Sequence, residues 1–241
     1  MPVEIPNKLT PVSKQDMIEA MWRGWMAFFN SIPPKRECVW VLIAQWGLET
    51  GFGQFCHNYN LGNVKSSDGD GYDYQFFGCG EEITLAQANQ WIAKDPGLVK
   101  IQRTYTSDKG IQMASVWVEP KHWASRFRAF NTLLEGTVDY IAILARRFSK
   151  AWPSVLAGDP AAFSHAIKMQ GYYTDNEAHY TKTLMATFKD ASKVPFDYDS
   201  LPVLTDTEKE RISNLVSLTV WDSVGEILSA EDKEPDEPGN A

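Results

Sequence analysis

Between about residues 51 and 126 the chain loses the helical hydrophobic rhythm that it carries on both sides, and that interruption constrains the fold most. Before it, residues 14–50 read as two helices, Met17 to Phe29 and about Lys35 to Glu49, separated by the breaker Ile32-Pro33-Pro34. On the second of these, Val39, Leu42, Ile43 and Trp46 fall in one narrow sector at about 100° per residue, which predicts a single buried face. After the interruption, Leu133 to Phe148 is apolar at helical spacing, and Gly158-Asp159-Pro160 opens a further helix near Ala161. Tyr172 to Asp175 reads as a loop before a last helix over about Glu177 to Ala191. The middle stretch has turn-rich pieces (Gly51-Phe52-Gly53 and Ser66 to Gly71), β-rich pieces (Tyr72 to Phe77 and Met113 to Val118) and a helical insert over about Leu85 to Ala93. The expected class is α+β: one mainly helical domain over 1–195, with a small irregular β-lobe and insert over about 51–126.

Residues 196–241 read as a separate acidic C-terminal extension. From 197 onward twelve Asp and Glu face Lys209, Arg211 and Lys233, a net −9, whereas residues 1–196 carry a net +1. A near-neutral body argues against nucleic acid as a partner. The extension begins extended beyond Pro195, turns amphipathic near Asp206 to Leu228, and from Ala230 to Ala241 has the composition of a segment disordered alone. With 241 residues, 44% of them hydrophobic, the chain can bury a substantial core, yet no apolar run is long enough to span a membrane. The N-terminus lacks a basic start followed by an apolar stretch, so no secretory signal is read there. Cys38, Cys56 and Cys79 cannot all pair, which fits synthesis in a reducing cytoplasm.

One acid stands out on physical grounds. Ten residues on from Val39, at about 100° each, Glu49 returns beside Leu42 on the apolar side of its helix, just ahead of two glycines. Burial there disfavours the carboxylate, and so does the negative end of the helix dipole. Both raise the pKa, as a general acid for glycoside cleavage requires. A carboxylate satisfied by local backbone groups or an arginine is the competing reading. The glycines would let a bulky polymer approach the backbone closely.

The surrounding residues carry a resemblance. Ala44-Gln-Trp-Gly-Leu-Glu49-Thr-Gly-Phe-Gly53, followed by Tyr59-Asn60-Leu-Gly-Asn-Val-Lys65, resembles the glucosaminidases of glycoside hydrolase family 73, which include the flagellar rod-associated peptidoglycan hydrolases. Arg126-Phe-Arg-Ala-Phe130 and Gly171-Tyr172-Tyr-Thr-Asp175 with Tyr180 look like two further signatures in the same order, so the resemblance covers about 36–190. Cys79-Gly80-Glu81 and Trp117-Val118-Glu119-Pro120 are similar to a phage-type branch of that group. The chain departs from that branch by a long insert, about Thr84 to Ser115, and by doubling the acid as Glu81-Glu82. The resemblance implies a lysozyme-like fold, no cofactor, and cleavage of β-1,4 bonds in the glycan strands of bacterial peptidoglycan, on the glucosaminidase side, with Glu49 as the acid.

Such chemistry usually needs a second carboxylate to activate water or stabilise the oxocarbenium ion, unless an N-acetyl group assists. The motif match makes Glu81 the first choice, with Glu82 and Glu119 as alternatives; a solvated surface acid is the bland reading of each. By the same resemblance Tyr172 would orient sugar or water near Glu49, Tyr59 and Asn60 would line the cleft floor, and Asp175 completes the substrate-binding set. A tyrosine that merely closes a helix end is the alternative for Tyr172. Of the nine tryptophans, Trp40, Trp46 and Trp152 are expected in the core.

Several signals are discounted. Asp68 to Asp73 opens like a calcium loop but lacks the glycine and closing glutamate. Cys56-His57 are adjacent, an arrangement that does not normally present thiol to imidazole. His57, His122, His165 and His179 lack metal-ligand spacing, so no metal is expected. Two enzyme alternatives act on the same substrate, a muramidase and a lytic transglycosylase; the Gly-Leu-Met-Gln motif of the latter is missing. A third alternative is a structural virion protein with a lysozyme-like fold. Without a signal the protein would need a phage lysin's release, carriage in a virion, or injection to reach the wall, and the acidic extension could dock on a phage tail or other delivery protein.

Overall fold

In a computed structural model, residues 2–29, 31–173, 176–198 and 201–217 are described. They form an α+β protein with two units. A helical unit comprises Thr10–Gly62 and the described residues from Asn131 onward; a β unit comprises Met1–Leu9 and Asn63–Phe130. The β-lobe expected over about 51–126 thus starts later and recruits the N-terminal segment. Val3 N–H donates to Asp73 Oδ1 (2.9 Å), and Glu4 bridges Tyr74.

The helical unit contains α1 (Lys14–Phe28), α2 (Arg36–Thr50), α4 (Leu133–Arg147), α5 (Trp152–Leu156), α6 (Pro160–Met169), α7 (Glu177–Ala191) and α8 (Asp206–Ser217), while α3 (Leu85–Lys94) belongs to the β unit. Several of their starts follow from side chains that accept the free N–H groups of a first turn. Ser13 caps α1 through Asp16 N–H (3.1 Å), Asn176 caps α7 through His179 N–H (3.1 Å), and Thr132 and Glu135 form a reciprocal capping box on α4. Asp159 caps α6, with Pro160 filling the first position, where its missing N–H costs nothing.

Packing corrects the single buried face expected for α2. Cys38, Val39, Val41, Leu42, Ile43, Ala44, Gln45, Trp46 and Gly47 are all buried, so α2 is the central helix and is covered on every side. A central helix shows no amphipathic stripe, because each flank meets protein; here α1, α5 and α7 pack against it. Trp46 and Trp152 lie in the core as expected, and Trp40 is partly buried against it. Gly136 admits α4 against the turn that follows α2: a side chain there would collide with the Tyr59 carbonyl.

The described part of the acidic extension is not separate from this unit. Ile212 of α8 is 4% exposed within the core, Arg23 of α1 grips both oxygens of Glu208 (2.8 and 2.9 Å), and Arg211 reaches Glu135 (3.6 Å). Residues 218–241, including the rest of the expected amphipathic stretch and the charged end, lie outside the described residues.

The β unit holds two antiparallel sheets. One pairs β1 (Tyr74–Phe76) with β5 (Arg126–Arg128); the other runs β2 (Cys79–Thr84), β4 (Gln112–Val118), β3 (Val99–Thr106), with β4 central. Alternation along β4 buries Ala114, Val116 and Val118 against Ala88 of α3, together with Val99 and Ala124. The insert read over Thr84 to Ser115 therefore supplies α3, β3 and most of β4. Strand β3 escaped the sequence reading because its alternation breaks at a register shift between Ile101 and Arg103. No described helix is long and apolar enough to cross a membrane.

Candidate active site

Glu49 occupies the last turn of α2 and is half-buried. The helix stops because Gly51 takes a left-handed conformation (φ 56°), its N–H bonding the Gly47 carbonyl. The turn is held by Thr50, whose hydroxyl donates to Trp46 O (2.8 Å) and accepts from Gly53 N–H (2.9 Å). Phe52 between the glycines is also left-handed (φ 55°), a conformation that bulky residues seldom adopt.

Three neutral groups gather on this acid. Tyr180 of α7 donates to Glu49 Oε1 (3.4 Å), and Tyr172 donates from the loop after α6. Gln45 lies one turn back on the same helix face, completely buried, and its amide N–H donates to the Tyr172 hydroxyl and supports Glu49. Its Oε1 has no donor among the described residues. Tyr172 is further fixed by its N–H to Ile167 O (3.0 Å) and an edge-on contact with Phe148 (4.9 Å); Tyr180 stacks on Tyr173 (3.8 Å).

Burial raises the Glu49 carboxyl above the ordinary 4.5, and the hydrogen bonds from Tyr172, Tyr180 and Gln45 pull the other way without cancelling it. Tyr172, Tyr180 and the fully buried Tyr140 have their hydroxyl pKa values raised, chiefly by burial, so they remain donors. Among the described residues the arrangement can hold a proton on Glu49 and orient it without a counter-charge.

Asp175 lies outside the described residues. Asn60 is buried (1% exposed) in the turn after Asn58 and Tyr59, both left-handed. Tyr59 lines a hollow of about 380 Å³ with Arg23, Leu133 and Glu208, which Glu49 does not line. In the β unit Glu81 and Glu82 are neighbours on β2 and so point to opposite faces. Glu81 ion-pairs with Lys65 (2.6 Å), whereas Glu82 accepts from Tyr105 (2.7 Å) and Arg103 (3.3 Å) on an exposed face. Glu119 is exposed beyond β4, its N–H on Leu98 O (2.8 Å).

Gln45 escaped the sequence reading, although its spacing of four from Glu49 was a usable signal. Tyr180 entered only through a motif. Cys56 is buried against Thr10, and burial pushes its thiol up to about 11, which suits an inert core thiol. Asp70 ties its own loop, accepting from Ser67 and Tyr72 N–H groups. Among the described residues no cluster of His, Cys, Asp and Glu could hold a metal ion. Compared with known proteins, the chain matches no family model, no curated protein and no solved structure.

Proposed function

We propose that the protein is a glycosidase of bacterial peptidoglycan, in which Glu49 protonates the oxygen of a β-1,4 glycosidic bond. The observation that carries this reading is the half-buried carboxyl with a raised pKa, surrounded by hydroxyl and amide donors and, among the described residues, by no counter-ion. A group so placed keeps its proton closer to neutral pH and can deliver it to a leaving oxygen. The residue resemblance selects peptidoglycan among β-1,4 glycans and the glucosaminidase side among its bonds. By the motif match Glu81 is the second carboxylate of this proposal, paired with Lys65, and Glu82, held by Arg103 and Tyr105, is the alternative beside it. The site of action would be the bacterial wall, reached as a phage lysin, in a virion or by injection.

A second reading uses one acid alone. The neutral company of Glu49 favours it, because a lytic transglycosylase asks a single carboxyl to serve first as acid and then as base.

Digestion of purified peptidoglycan by wild type and Glu49→Gln, with product ends identified by mass spectrometry, tests both. New GlcNAc reducing ends from wild type alone support the hydrolase. Anhydro-muramyl ends support the second reading, MurNAc reducing ends move the protein to the muramidases, and no release by wild type removes catalysis.

A further inference from the structure

The β unit has a groove of about 520 Å³, within the usual size of a ligand site, about 300–1,000 Å³. Trp91 from α3 and Trp123 from the turn Trp123–Ser125 wall it, and the Lys65–Glu81 pair and Arg126 lie along it. Trp123 is 55% exposed, an unusual position for the largest apolar side chain. It is also held firmly: Trp91 meets it edge to face (5.0 Å, 74°), and His122, itself 1% exposed, packs beside both indoles (5.3 and 5.4 Å).

The charges along this groove close among themselves. Lys65 is bonded to Glu81 (2.6 Å), to the Ala124 carbonyl and over the Phe127 ring (3.9 Å), while Arg126 is bonded to Asp68 and lies over Tyr74 (3.7 Å). Two cations and two anions leave no net charge to draw in a polyanion, so a nucleic acid is disfavoured. What remains is a rigid indole face beside fixed hydrogen-bonding groups. A pyranose ring offers the matching surfaces, an apolar C–H face and a rim of hydroxyl and acetamido groups.

We infer that this groove is a glycan-binding subsite, in which Trp123 stacks on a sugar ring and the Lys65–Glu81 and Arg126–Asp68 pairs bond its polar rim. The inference rests on the glycosidase reading for the identity of the glycan, a chain of β-1,4-linked N-acetylated amino sugars. Trp91 comes from the insert, so this segment adds a binding wall that the sequence motifs around Glu49 do not contain.

The test is calorimetric titration of β-1,4 GlcNAc tetramer into the full chain carrying Glu49→Gln, alone and combined with Trp123→Ala or Trp123→Phe. The alanine variant is expected to weaken binding about tenfold and the phenylalanine variant to restore most of it. Equal affinity in all three proteins overturns the subsite, as does tetramer binding that is absent throughout. A peptide prepared from peptidoglycan stems that binds in a Trp123-dependent way while the tetramer does not would also overturn it. The hydrolysis assay separates the two readings. Activity in wild type with Trp123-independent tetramer binding removes the subsite alone, whereas Trp123-dependent binding without hydrolysis removes the glycosidase and leaves the subsite.

Discussion

The two units hold carboxylates in opposite company. In the helical unit Glu49 meets two phenols and an amide, all neutral, and burial raises its pKa. In the β unit Glu81 meets the Lys65 ammonium at 2.6 Å and the Cys79 thiol at 3.5 Å. The same side-chain type thus meets neutral donors in one unit and an ammonium in the other. Local packing sets this difference in each unit separately.

Breaking the helical side of this comparison should have the largest effect. Glu49→Gln keeps the shape and the hydrogen-bonding capacity but cannot donate a carboxyl proton. Peptidoglycan cleavage is expected to fall by about 10²–10⁴-fold, read as released reducing ends. Retained activity above a tenth of wild type would exclude Glu49 as the acid.

The β side is sharpened by two adjacent residues. Glu81→Gln is expected to lower turnover by about 10²-fold, while Glu82→Gln, changing an exposed group bonded to Tyr105 and Arg103, should stay within about twofold. Equal effects of the two would remove the assignment of Glu81.

Tyr172→Phe gives a smaller and more specific change. The Tyr172 hydroxyl lowers the Glu49 pKa, so removing it raises that pKa further. The alkaline limb of the pH–rate profile is therefore expected to move to higher pH, with a drop of about tenfold at the optimum. A downward shift would mean that the hydroxyl does not stabilise the carboxylate.

The smallest effect is on stability. Glu49 binds its proton more tightly folded than unfolded, because burial raises its pKa above the ordinary 4.5. The stability linked to it is complete below about pH 4.5 and is lost as pH rises through the raised folded value. Glutamine cannot ionise, so Glu49→Gln should melt above wild type near about pH 8, and the gain should shrink toward about pH 4. Thermal melts across that range would show it, and a pH-independent difference would count against the burial argument.

The helical unit was more legible than the β unit for a physical reason. Helix α7 falls over Glu177–Ala191 as read, and α6 starts at the expected Asp159-Pro160, because caps and breakers are local signals. The all-round burial of α2 was not legible: Gln45 interrupts an apolar run, and only the tertiary fold shows that it serves Tyr172 and Glu49. Strand β2 is half exposed and β3 carries a register shift, so neither shows a clean alternation. The site followed the same pattern. Glu49 could be picked from its position on a helix face, whereas the tyrosines that surround it come from segments more than 120 residues later.

The most direct test of the central claim, that Glu49 carries a proton against neutral donors, is its own titration. Carbon-13 NMR of labelled glutamate carboxyls, with Glu49→Gln to assign the resonance, would report it in the intact protein. The account predicts a resonance, missing from the variant, that titrates clearly above the ordinary 4.5. A Glu49 carboxyl that titrates at or below 4.5 would contradict it.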